Sequence, residues 1–105
     1  MIKDIEPSQL KEIVDNNSTV LVHFYLEGSM PCTLLDEIFK AIDREYGEKL
    51  VIVRIDHKKY YDECIKMKAI ITPTIVVFKD GMMLEKEMRY KTKDELMYML
   101  KKYLV

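Results

Sequence analysis

From Thr19 to Leu26 the chain is apolar without a break, "TVLVHFYL"; after Met30 the period changes, and Leu35, Ile38, Phe39, Ile42 and Tyr46 recur on one helical face. The first run, rich in β-branched and aromatic residues with no alternation, predicts a strand buried on both faces. The second predicts a helix with Gly47 as its C-terminal stop. Upstream, "PSQLKEIVDNN" places Leu10, Ile13 and Val14 at helical spacing, with Pro7 in a first turn that has no use for its missing N–H. Downstream, "KLVIVRID" predicts another buried strand, and "KKYYDECIKMK" a short helix with Tyr61, Cys64 and Ile65 on one side. "TIVVFKDGMMLEKEMRY" reads as a hairpin turning at Asp80-Gly81. "TKDELMYMLKKYL" opens with a capping box, Thr92 accepting from the backbone and Glu95 reaching back, ahead of the apolar face Leu96, Met99, Leu100 and Tyr103. With a short strand at the start, helices and strands alternate and close on an antiparallel hairpin. The expected class is α/β, a mixed sheet flanked by helices on both faces.

Composition bounds this picture. A chain of 105 residues without repeats or a Gly/Ser linker is a single domain, 1–105, able to bury a core without staples. Lys+Arg 17 against Asp+Glu 18 leaves no basic excess for nucleic acid or anionic lipid, and no stretch approaches membrane-spanning length. The start, "MIKDIEPSQL", lacks the apolar region of a signal peptide, and two cysteines suggest no disulfide framework. A cytoplasmic monomer is the expectation, with neither nucleic acid nor membrane as partner.

The chemistry concentrates where the strand breaks and the helix begins, at "GSMPC", residues 28–32. Together "VLVHFYLEGSMPC", "LVIVRID" and "ITPTIVVFKDGMM" resemble the thioredoxin family over nearly the whole chain, three separated blocks agreeing in order, content and spacing. The resemblance implies a thioredoxin-like fold, a central mixed sheet with the Ser29–Cys32 turn beside Pro73. The family's motif, tryptophan then Cys-Gly-Pro-Cys, falls on Gly28, Ser29, Met30, Pro31 and Cys32; its cis-proline falls on Pro73, between Thr72 and Thr74. The resemblance implies a groove formed by Gly28, Met30, Pro31, Thr72, Pro73 and Arg89, in which Thr72 offers backbone groups to an extended peptide.

In the family the first motif cysteine attacks a substrate disulfide and the second resolves the product. The first position lies at a helix N-terminus, where unpaired N–H groups and the macrodipole favour a thiolate. Here it is Ser29, a good N-cap but no partner in disulfide exchange, so the full dithiol cycle is not expected. Three more departures surround it. Gly28 replaces the aromatic wall, His23 stands where most of the family carries a buried aspartate, and Arg89 stands at a groove glycine.

Each candidate has a plainer reading. Cys32 is either an inert half-buried thiol or a single reactive one that forms mixed disulfides or sulfenic acid. His23, beneath the motif by alignment, is either a satisfied core histidine or the proton acceptor of a thiolate–imidazolium pair. Cys64, on the apolar side of its short helix, reads as packing, and the resemblance implies that this helix lies on the opposite sheet face from the motif helix. His57 reads as a solvated loop residue. Met30, Met82, Met83 and Met88 are either adaptable contact surface or filler. No pair among Cys32, Cys64, His23 and His57 has chelating spacing, so no metal is expected, and no cofactor is implied. The expected function is thiol redox homeostasis, at most a weak or single-thiol protein disulfide oxidoreductase acting through Cys32 on protein thiols and disulfides, with glutathione a candidate small thiol. The alternatives are a non-catalytic peptide- or protein-binding module (an adaptor or holdase), and a trapping variant in which Ser29 replaces a native cysteine.

Overall fold

The computed structural model describes residues 1–104. The elements are β1 (Lys3–Asp4), a 3-10 turn (Pro7–Gln9), α1 (Leu10–Asn16), β2 (Thr19–Tyr25), α2 (Met30–Tyr46), β3 (Val51–Asp56), α3 (Tyr61–Lys66), β4 (Thr74–Lys79), β5 (Met82–Glu87), α4 (Lys93–Leu100) and a closing 3-10 turn (Lys101–Tyr103). The order is the one the periodicity predicts. Among the described residues, no helix is long and apolar enough to cross a membrane.

The five strands form one sheet in the order β1-β3-β2-β4-β5. β1, β3 and β2 run parallel, and β4 returns antiparallel to β2 and carries β5 antiparallel to itself. All seven residues of β2 are buried, as a central strand covered on both faces requires. β3 is less fully covered than "KLVIVRID" suggests: Val51, Arg54 and Asp56 are half-exposed.

Alternation along β2 divides two cores. Leu21 joins Leu35, Phe39 and Ile42 of α2 and Leu96 and Leu100 of α4, while Val20, Val22 and Phe24 join Leu10 and Val14 of α1 and Cys64 of α3. Helices therefore cover both faces, α2 and α4 on one and α1 and α3 on the other. Leu35 and Ile42 are fully enclosed, each worth about 1.5–3 kcal/mol of apolar transfer.

The local punctuation is direct. Asp80 and Gly81 have φ of 51° and 85°, the left-handed pair of a tight hairpin turn, and the β4–β5 register shifts just before it, between Val77 and Phe78 on β4. Glu95 N–H donates to the Thr92 hydroxyl and Thr92 N–H to the Glu95 carboxylate, closing the capping box of α4. α2 ends at Gly47, but with φ −60° rather than a left-handed cap. A Cβ at Gly47 would meet the Asp43 carbonyl oxygen at 2.6 Å, so close approach is what calls for glycine there.

Two expectations are corrected. Tyr61 does not share the buried side of α3; it is 56% exposed, while Cys64 is enclosed. His57 is not solvated. It is buried, its Nε2–H donates to the Ala69 carbonyl at 2.7 Å, and its ring meets Tyr61 edge-on. A carbonyl twelve positions along the chain holds it, a partner no local pattern reveals.

Candidate functional site

Strand β2 ends at Tyr25, and the chain turns through Gly28, with φ +83°, into α2. At that φ any L side chain is strained, although the space around the position is open. The backbone conformation itself thus disfavours an aromatic at the position where the resemblance implies a tryptophan.

Ser29 occupies the N-cap position of α2 in an extended conformation, and its carbonyl accepts from the N–H of Thr33 at 2.9 Å. Its hydroxyl makes no capping hydrogen bond, which corrects the expected role. The cause lies two residues on. An N-cap oxygen takes the N–H of the second or third helical residue, and the second is Pro31, which has none. The hydroxyl acts on the Cys32 thiol instead, favouring the thiolate.

Cys32, the third residue of α2, is 1% exposed. Burial pushes its thiol pKa up. The His23 imidazole, the Leu26 N–H donating to Sγ at 3.4 Å and the Ser29 hydroxyl outweigh burial and bring it below the ordinary 9.0. Cys64 is equally enclosed and has no such partners; burial, then Glu63 and Asp56, push it up to about 11. Neither cysteine is in a disulfide.

His23 is fully buried on the α2 face of β2, edge-on to Phe39 at 5.1 Å between ring centres. Its Nδ1 lies 3.4 Å from Asp36 Oδ1. Burial pushes the imidazole pKa down, and Asp36 first, then Cys32, more than reverse that, so His23 sits above 6.5. At these distances and angles neither ring nitrogen makes a well-formed hydrogen bond, so the coupling is chiefly electrostatic. Arg54, beside His23 on β3, approaches the same carboxylate oxygen at 3.6 Å and stacks on the Tyr25 ring at 3.8 Å. Asp36 is pushed up by burial and, more strongly, down by His23 and Arg54, to below 3.8.

Sequence reasoning named Ser29, Cys32 and His23, and the structure brings them together. It missed Asp36 and Arg54. The available signal for Asp36 was its position four residues after Cys32, on the same helical face.

Gly28, Met30 and Pro31, which flank Cys32 in the chain, are exposed or half-exposed, and Leu26, Leu34, Ile70 and Ile71 are exposed. Thr72 is half-buried, Pro73 is buried, and the Thr72–Pro73 peptide is cis. Arg89 is spoken for elsewhere, its guanidinium donating to the Tyr90 carbonyl at 2.8 Å and pairing with Glu95 at 3.2 Å.

A family model described as Thioredoxin matches residues 1–102. Thioredoxin from Bacillus subtilis is 30% identical over 89 residues, covering 85% of this chain and 86% of that protein. Thioredoxin from Acetoanaerobium sticklandii is 31% identical over 94 residues, 89% and 90% of the two chains. Among solved structures, a mutant thioredoxin from Halobacterium salinarum superposes with a TM-score of 0.91 at 20% identity, covering 99% of this chain and 91% of that one. Mitochondrial thioredoxin 3 from Saccharomyces cerevisiae gives 0.85 at 19% identity, covering 96% and 94%. The two structures share the fold; the profile match and the bacterial relatives carry the kinship, and with it a thiol-redox role. The chain belongs to the thioredoxin family.

Proposed function

We propose that the protein serves thiol redox homeostasis as a single-thiol protein, with Cys32 as the reacting group, His23 as its proton acceptor and Ser29 as a thiolate-supporting hydroxyl. The observation that carries this reading is the contrast between two buried thiols, Cys32 brought down by His23, Leu26 and Ser29 and Cys64 driven up by burial. The reaction is one exchange. The Cys32 thiolate attacks one sulfur of a disulfide such as glutathione disulfide, the S–S bond breaks, and the leaving thiolate takes the proton held by the His23 imidazolium. Without a thiol at Ser29 the mixed disulfide is released by an external thiol rather than resolved within the chain. The near-complete cover over Cys32 favours small disulfides over folded protein substrates. We place the protein in the cytoplasm as a monomer, on its composition and its bacterial relatives.

A second reading is a peptide-binding module. Exposed apolar side chains on either side of the motif and just before Thr72 in the chain (Leu26, Met30, Ile70 and Ile71) favour it, with an extended segment laid against Thr72.

Incubation with glutathione disulfide followed by peptide mass mapping tests the first reading. The expected result is one adduct per chain, on Cys32, absent in Cys32→Ser. An adduct confined to Cys64, or none, overturns it, and peptide binding that survives Cys32→Ser favours the second reading.

A further inference from the structure

Among the described residues, the buried side-chain polar atoms without a hydrogen-bond partner are four: His23 Nδ1, His23 Nε2, Asp36 Oδ1 and Arg54 Nε. They are not scattered. All four belong to one cluster, whose His23 acts on the Cys32 thiol, and the single oxygen Asp36 Oδ1 stands 3.4 Å from His23 Nδ1 and 3.6 Å from Arg54 Nε. Buried polar groups are paired as a rule, so a concentrated exception calls for a reason.

Three elements assemble it. His23 and Arg54 are register partners on β2 and β3, which sets their side chains next to one another on one face of the sheet. Two cations so placed would repel, and the histidine would remain neutral. Asp36, one helical turn beyond Cys32 on α2, inserts its carboxylate between them. We propose that Asp36 is a positioning residue that, anchored by Arg54, turns His23 Nδ1 toward its own carboxylate and leaves Nε2 as the nitrogen that takes the Cys32 proton.

This rests on the reading of Cys32 as the reacting thiol and adds a third member to it. With Asp36 ionised, a protonated imidazole faces a carboxylate 3.4 Å away rather than the Arg54 cation alone, so the imidazolium that compensates a thiolate is supported. With a neutral side chain at position 36, protonating His23 would put two uncompensated cations side by side in a buried site. The other groups facing the cluster do not replace Asp36. Asp4 on β1 reaches Arg54 Nε at 3.4 Å but is drawn to the guanidinium rather than the imidazole, Tyr25 on β2 lies under the guanidinium, and His23's register partner on β4 is the apolar Ile75. On its far side Asp36 borders a cleft of about 140 Å³ shared with Ile2, Asp4, Lys40 and Arg54, room for a few waters and a connection to solvent that His23 itself lacks.

The displacement is chemically coherent. The buried carboxylate that the family resemblance places on the strand has become an imidazole here, and a carboxylate from the facing helix now stands against it.

The test uses the full chain. Alkylation of Cys32 by iodoacetamide is followed against pH in the wild type, Asp36→Asn and Asp36→Glu, and His23 ring protonation is read in parallel by 15N NMR. The expected result is a Cys32 inflection below that of a free thiol in the wild type, moved upward in Asp36→Asn with a severalfold slower rate at neutral pH, and partly restored in Asp36→Glu. The His23 inflection moves the opposite way, to lower pH, in Asp36→Asn. An unchanged Cys32 profile in folded Asp36→Asn overturns the role of Asp36 while leaving Cys32 and His23 as assigned. A wild-type Cys32 that titrates like a free thiol overturns both, and a loss of rate without movement of either inflection marks Asp36 as packing and overturns the proposal.

Discussion

The backbone N–H of Leu26 points at the sulfur of Cys32 at 3.4 Å, so the last residue before the turn reaches forward to the first turn of the helix that follows. This contact, with His23 and the Ser29 hydroxyl, distinguishes Cys32 from Cys64 at equal burial. Under limiting iodoacetamide at mildly alkaline pH, Cys32 should be modified first, with Cys64 modified only on unfolding. His23→Ala should move the Cys32 inflection upward; peptide mapping against time reads both. Preferential labelling of Cys64 in the folded protein would contradict the assignment.

The same cluster makes stability depend on pH in a calculable direction. His23 is raised above 6.5 in the folded chain, so its contribution is complete below 6.5 and fades as pH rises through the folded value. Asp36 is held below 3.8, so its contribution is present above 3.8 and fades as pH falls through the folded value. Urea unfolding should therefore show the largest gap between wild type and His23→Gln at about pH 5, narrowing toward alkaline pH. A gap that widens toward alkaline pH would reverse the assigned sign.

Ser29→Cys should restore what the motif lacks. Cysteine at this position gives the turn two thiols, and a protein substrate should then be reduced with resolution inside the chain, where the wild type turns over only as fast as an external thiol releases its mixed disulfide. Turbidity during reduction of a disulfide-linked protein by dithiothreitol reads the difference. Equal rates for the two chains would show that the serine is not what limits the chemistry.

Two stability variants test the scaffold. Thr92→Ala removes one half of the α4 capping box and should cost about 1 kcal/mol, whereas Thr92→Ser should be close to neutral. Leu35→Ala opens the core beneath α2 and should cost about 2–5 kcal/mol. Denaturant midpoints measure both, and a Thr92→Ala loss as large as that of Leu35→Ala would mean that the cap carries more than its two hydrogen bonds.

Much of this was legible because it is local. The apolar run of β2, the spacing of Leu35, Phe39 and Ile42, the Asp80-Gly81 turn and the Thr92–Glu95 box each depend on neighbours a few positions away. The site was only half legible. Cys32 announced itself by residue type and place, whereas Asp36 looked like any acid on a helix and Arg54 like an interruption in an apolar strand. Both acquire meaning only when α2 is laid on the β2–β3 pair. His57 failed for the same reason, since the Ala69 carbonyl that holds it comes from another segment. Ser29 failed differently: its residue type promised a capping bond, and the proline two positions later removed one of the donors.

The two thiols belong to opposite faces of one continuous sheet, Cys32 on the helix packed against the Leu21 side and Cys64 among the residues packed around Val20 and Val22. A folded molecule therefore has no way to zip itself shut when conditions turn oxidising. Any disulfide made by its inner sulfur must reach outward to a different molecule, so each such copy carries the mark of what it met.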